Sequence, residues 1–189
     1  MTQRKQEEFL VLRAQSGDRE ALDALLKTVQ APLFRYICGL VNDRDMARDV
    51  LQEVFIEIYR NLRWLREPSL CRSWAYRIAS RKAFKRLKRE QHWLDQVRDD
   101  EVLNSVPADS TEQNYMAEYI EFLPELVSNL SPACRAVLVL HYLEEMPLNE
   151  VADVLGIAVG TVKSRLAYGL ARLREILGDR AEESRLGRI

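Results

Sequence analysis

The chain has 189 residues, 47% hydrophobic and 30% charged, with a formal net charge of −1. That length admits one domain or two small ones, and the composition supports real cores in a soluble protein. No stretch approaches the apolar length of a membrane span and the N-terminus lacks a secretory-leader pattern, so no membrane insertion is expected and a cytoplasmic location is the default expectation.

Helical periodicity runs almost throughout, without a convincing strand pattern; scarce glycine (7) and proline (6) suit helices joined by short turns. A first helix is expected over residues 7–15, broken at Ser16-Gly17-Asp18, which also supplies the cap of the next. The second, Arg19–Val41, carries Ala21, Leu22, Leu25, Leu26 and Val29 on one face, and Pro32 predicts a kink or a new helix within it. The run 42–45 reads as a turn and cap. Residues 46–64 form an amphipathic helix with Val50, Leu51, Val54, Ile58 and Leu62 on its apolar face. A loop over 66–70 precedes a helix over 71–93, with Trp74, Ile78, Phe84 and Leu87 as apolar positions. Residues 99–114 lose periodicity and read as part of a flexible linker. A second helical block covers about 116–178, with Ser131 as cap and Pro132 in the first turn of a helix, and 179–189 read as a frayed tail. The fold class is therefore all-α, two small helical domains over 7–94 and 118–178, joined by an acidic linker over 95–117.

The near-zero net charge conceals a pattern. Residues 60–98 hold twelve Lys and Arg against Glu67, Glu90 and Asp95, whereas 99–125 hold eight acids and no base. A basic run of this kind is the footprint of a surface for polyanions, or else a solvated helix face. The three cysteines, Cys38, Cys71 and Cys134, form no paired spacing, and with only two histidines, His92 and His141, no dedicated zinc site is expected. No phosphate-cradling glycine loop or nucleophile-base constellation is present, so neither an enzyme nor a cofactor is expected.

The most specific local pattern is LNEVADVLGIAVGTVKSRLAYGLARL, residues 148–173. Ala152 is small where two helices must approach, and Gly156 follows where the turn needs positive φ. Val151, Leu155, Ile157, Val162 and Leu166 supply packing between the helices. The second helix presents Thr161, Lys163, Ser164, Arg165, Tyr168 and Arg172, the residue types that reach guanine edges and phosphates from the major groove. An ordinary helical hairpin is the competing reading.

In the basic helix, Arg77, Arg81, Lys82, Lys85 and Arg86 surround Trp74, Tyr76 and Phe84. Rings among cations suit single-stranded DNA. Trp74 and Phe84 lie at core spacing, while Tyr76 is the more available ring. In the preceding helix, Asp49, Gln52 and Glu53 share a face at spacings of three and four, beside Phe55, a combination suited to docking another protein or to plain solvation.

Three segments together resemble one family. DVLQEVFIEIYRNL resembles the D-x-x-Q-E-x-F helix of sigma region 2, SWAYRIASRKAFKRLKRE its W-x-Y-R-I-A helix, and the 148–173 pattern region 4 with its G-T-V-K-S-R stretch. Their order and the intervening linker are similar to the extracytoplasmic-function group of bacterial sigma factors. The resemblance implies a transcription initiation factor with core RNA polymerase, promoter DNA and an anti-sigma factor as partners. It implies that Asp49, Gln52, Glu53 and Phe55 dock the β′ clamp helices and that region 4 meets the β flap. It further implies that Arg66, Tyr76, Arg77, Ser80, Arg81, Lys82, Lys85 and Arg86 open and read the −10 element. Thr161, Lys163, Ser164, Arg165, Tyr168 and Arg172 would read the −35 element. The chain departs from the family at Ser80-Arg81, where a basic or polar residue followed by Asn is usual, and at Ala75, commonly Leu. Arg81 thus carries a phosphate contact more readily than the usual base capture. A dimeric helix-turn-helix regulator, or an adaptor using only the docking helix, are the alternatives from other classes.

Overall fold

The computed structural model describes the backbone of residues 3–90 and 130–186, and the side chains of 5–90 and 130–176. All regular structure among the described residues is helical. The chain divides into two compact units, Met1–Glu90 and Gln91–Ile189. The expected linker falls between the described segments.

The first unit packs α1 (Gln3–Gln15), α2 (Arg19–Val41), α3 (Arg44–Asn61) and α4 (Cys71–Arg89), with single 3-10 turns at Leu62–Trp64 and Pro68–Leu70. Local chemistry sets the boundaries. Gly17 turns the chain at φ 97, and Asp18 caps α2 by accepting from the Ala21 amide at 3.1 Å. That bond, with the guanidinium of Arg13, holds the Asp18 carboxyl below its ordinary range. Asn42 closes α2 in the left-handed region and donates its amide to Cys38 O at 2.9 Å. Asp43 opens α3 by accepting from the amides of Asp45 and Met46, each at 2.8 Å.

The expected break at Pro32 is absent, and α2 runs through it unbroken. Proline forfeits one backbone bond, but Val29, Leu33, Tyr36 and Ile37 flank it and are all buried. Tertiary packing of this face outweighs the lost bond. The helix expected over 46–64 divides, because its last turn tightens into the 3-10 turn Leu62–Trp64. Gln15 reaches across from α1 and donates its side-chain amide to Leu62 O at 2.9 Å and Leu65 O at 2.7 Å, pinning that turn.

The core of this unit follows the spacing read from the sequence. Val50, Leu51, Val54 and Ile58 of α3 and Leu62 beyond it are buried. Val11, Leu25, Leu62 and Cys71 cluster at one end, with Trp74 half-buried against them, which settles Trp74 as a packing residue. Between α2 and α4 lies a polar seam. Tyr36 and Tyr76 meet edge to face, centroids 5.2 Å apart, and the Tyr36 hydroxyl lies 2.6 Å from Ser80 Oγ. Ser80 commits its own proton to the Tyr76 carbonyl at 2.8 Å, so Tyr36 is the donor to Ser80.

In the second unit, Ser131 caps α5 (Pro132–Leu138) through the Cys134 amide at 3.3 Å, with Pro132 in its first turn. A π turn, Val139–Leu143, follows, then α6 (Leu148–Leu155) and α7 (Val159–Leu186). Leu130, Cys134, Leu138, Leu170 and Leu173 form the core. Gly169 lets α7 approach α5, since a Cβ there would sit 2.9 Å from Leu138 Cδ1. The frayed tail expected from 179 is instead helical to Leu186. Ala181, Glu182, Glu183 and Arg185 are good helix formers, and they carry the helix past Gly178.

Candidate functional site

The second unit contains a helix-turn-helix. Val151 and Val162 are fully buried, Ala152 and Val154 nearly so, and they lock α6 to α7. Gly156 ends α6 at φ 68, and the turn closes as the Ile157 amide donates to Ala152 O at 3.1 Å. A side chain at Gly156 would be strained whatever space surrounds it. The first turn of α7 is open to solvent at Val159, Gly160 and Lys163, with Thr161 half-buried. Arg165 and Ser164 are half-buried on the following turn, and the Ser164 hydroxyl donates to Thr161 O at 3.1 Å. Tyr168 is partly committed to packing against the Leu130–Leu173 core. Arg172 is exposed and bonds Glu175 one turn on, an exposed pair of little worth that a phosphate can displace. The expected reading residues therefore share one helix, with Lys163 and Arg172 exposed and Thr161, Ser164, Arg165 and Tyr168 half-buried.

The basic helix α4 divides by face. Arg77, Arg81, Lys85, Lys88 and Arg89 are exposed and follow one another at helical spacing, and Arg66 is exposed in the preceding loop. Tyr76 and Ser80 are each only 2% exposed. Both were expected to meet DNA, and both belong instead to the interior, joined to Tyr36. Their spacing of four places them on the seam facing α2. Lys82 and Arg86 take an intermediate course. Lys82 Nζ lies 3.0 Å from Glu57 Oε2 and 3.6 Å from Glu53 Oε2, and Arg86 Nη2 lies 3.9 Å from Asp49 Oδ2. Arg86 also bonds Glu90 at 2.8 Å. The row 49-53-57 of α3 thus faces the row 82-86 of α4. Asp49 and Glu53, expected to dock a protein, thus share these two cations with Glu57 and Glu90.

The docking cluster divides in the same way. Asp49 and Glu53 face α4, though both stay exposed, while Gln52 and Phe55 line an open groove with Leu26, Leu51, Ile56 and Tyr59. Ile56 and Tyr59 are 43% and 69% exposed, and the sequence reading overlooked Ile56. It also overlooked Trp64, 69% exposed with the Arg63 guanidinium 4.7 Å from its ring centroid. Its position off the α3 apolar face, between arginines, was the available signal.

Among the described residues no group of three or more His, Cys, Asp or Glu is placed to hold a metal ion, and no helix is long and apolar enough to cross a membrane. Burial, aided by Glu7, pushes the Cys71 thiol up to about 12, and burial also raises Cys38.

Comparison with known proteins gives the family. The family description "Sigma-70 region 2" matches residues 25–92, and "Sigma-70, region 4" matches residues 126–175. The RNA polymerase sigma-H factor of Pseudomonas aeruginosa is 31% identical over 88% of this chain and 91% of its own length. This chain belongs to the extracytoplasmic-function group of the sigma-70 family. The ECF RNA polymerase sigma factor SigW of Bacillus subtilis is 26% identical over 89% of the chain and 95% of its own length. The RNA polymerase sigma-E factor of Streptomyces antibioticus is 31% identical over 89% and 91% respectively. Among solved structures, the fold is similar to CnrH, solved in complex with the cytosolic domain of CnrY. That likeness has TM-score 0.65 and 21% identity over 92% of this chain and 98% of the other. The chain is a sigma factor: it binds core RNA polymerase and directs promoter-specific initiation. The helix-turn-helix lies in the region 4 match, with α7 running past its end, and α3, α4 and most of α2 lie in the region 2 match.

Proposed function

We propose that this sigma factor divides its work as follows. Gln52 and Phe55, in the groove beside α3, seat the polymerase β′ clamp helices, with the exposed carboxylates Asp49 and Glu53 at the margin. Region 4, which meets the β flap, lays the first turn of α7 into the major groove at −35. There Lys163 and Arg165 carry base or phosphate contacts, Arg172 and Thr161 fix register, and Ser164 and Tyr168 support the helix. The exposed stripe Arg77, Arg81 and Lys85, with Arg66, holds the −10 backbone, and Lys82 and Arg86 join it when DNA phosphate outcompetes α3. Domain limits of 7–94 and 118–178, separated by a linker over 95–117, fit this division. The factor is a non-catalytic cytoplasmic protein without a cofactor.

Anti-sigma control is part of the same reading. The RpoE sigma factor of Bartonella quintana was solved with the anti-sigma factor NepR, and its fold is similar to this one, with TM-score 0.62 and 19% identity over 82% of this chain and 96% of that one. A protein that covers the α3 groove would block docking.

The observation that carries the proposal is the helix-turn-helix with its cationic first turns outward, in a chain whose other unit has a basic face and an apolar groove. Arg165→Ala in the holoenzyme is expected to weaken −35 protection by about 1–3 kcal/mol, roughly 5- to 150-fold in affinity, the worth of one good base contact. An unchanged footprint overturns the role given to Arg165.

A further inference from the structure

Among the residues that open α7, one large apolar side chain faces solvent. Val159 is the first residue of the helix and is 40% exposed. Lys163, one turn on, shares its face of the helix and is exposed as well. Ala158 and Gly160, on either side of Val159, are also exposed. Gly160 has no internal reason to be glycine. Its φ is not positive, and among the described residues a Cβ there would meet nothing within 4 Å. Glycine in a helix costs stability relative to alanine, and the use that remains is a close approach of another molecule to the backbone. The first turn of α7 is thus suited to lie hard against its ligand, with Val159 beside the bare backbone.

We propose that Val159 is a specificity-determining residue of the −35 site, packing its methyl groups against the 5-methyl of a thymine in the major groove. The base follows from the chemistry of the edges. Guanine, cytosine and adenine present hydrogen-bond donors and acceptors there, and thymine alone adds an apolar group. Valine has no donor or acceptor, so against any other base it strips water from a polar edge and gives nothing back. Methyl against methyl buries apolar area at no such cost. A single valine among Ala158, Gly160 and Lys163 is too small an apolar area to anchor a protein partner. The inference rests on the −35 reading above and adds to it a contact that selects a base without a hydrogen bond.

The test is competitive binding of holoenzyme, core polymerase with the full chain, to a promoter from which it initiates. Each thymine of the −35 element, on either strand, is replaced in turn by deoxyuridine, which removes only the methyl. Wild type is compared with Val159→Ala and Val159→Ile. With wild type, one replacement is expected to weaken binding about fourfold, the worth of burying one methylene-sized group. Val159→Ala should bind the unmodified promoter about fourfold more weakly and no longer respond to that replacement. Val159→Ile keeps a branched apolar head and should keep the response. A −35 element with no thymine whose methyl matters to the wild type overturns the inference. A methyl response that survives in Val159→Ala also overturns it, and assigns the methyl to another residue. So does a response lost in both variants, which marks a disturbed helix start rather than a lost contact. Absence of a −35 footprint by the wild-type holoenzyme on promoters it starts from sinks the underlying reading of region 4 instead.

Discussion

Ser80 carries the clearest lesson at the scale of single residues. Its place in the W-x-Y-R-I-A helix suggested a DNA contact, yet it accepts a proton from Tyr36 and donates to Tyr76 O. Ser80→Ala removes the buried hydroxyl that Tyr36 meets and the bond to the Tyr76 carbonyl. We expect a loss of about 1–3 kcal/mol in urea unfolding. Promoter affinity should be unchanged once the protein is folded. A selective loss of −10 binding at unchanged stability would restore Ser80 to the DNA surface. The departure from the family at this position therefore falls on two residues with separate roles. Ser80 is interior, and the neighbouring Arg81 faces solvent as part of the basic stripe. Caps were legible at this scale because they are local: Asp18, Asp43 and Ser131 each bond amides within three residues. Tyr76 and Ser80 were not, because their partner Tyr36 lies 40 or more residues away along the chain. A hydroxyl and a ring at i and i+4 read equally as a polar face or a polar seam.

Among elements, the helices themselves were evident from spacing, and tertiary packing decided their ends. Pro32 was expected to interrupt α2 and does not, since the apolar residues flanking it are buried. The pairing of the α3 carboxylates with Lys82 and Arg86 was likewise invisible in either helix alone. It joins the two faces that the sequence had assigned to separate partners. Gly169 shows the same dependence on a neighbour. It is where α7 meets Leu138 of α5. Gly169→Val should overpack this contact and destabilise the second unit by about 1–3 kcal/mol, measured by thermal unfolding. A neutral or stabilising effect would mean that Leu138 moves aside freely.

The whole molecule combines two helical units that recognise different things. Region 4 presents a short cationic helix start to duplex DNA. Region 2 presents an apolar groove on one side of α3 and a basic stripe on α4. The charge pattern of the sequence anticipated the basic stripe, because exposed cations at helical spacing need no partner to be recognised. The groove was only half legible. Gln52 and Phe55 were legible from their place beside Asp49 and Glu53 and from the resemblance to the family, whereas Ile56 emerged only from its exposure. The central claim is that polymerase docking at this groove turns two DNA-reading units into an initiation factor. Run-off transcription with bacterial core polymerase on a pool of genomic promoters tests it most directly, with wild type beside Phe55→Ala and Gln52→Lys. Glu53 is a poorer choice, because reversing it also sets two cations against each other at Lys82. The account predicts sequence-selective starts with the wild-type chain, reduced at least about tenfold by either groove variant through lost docking affinity. Selective starts undiminished by both variants, or no starts while the free chain protects duplex DNA by itself, would contradict it.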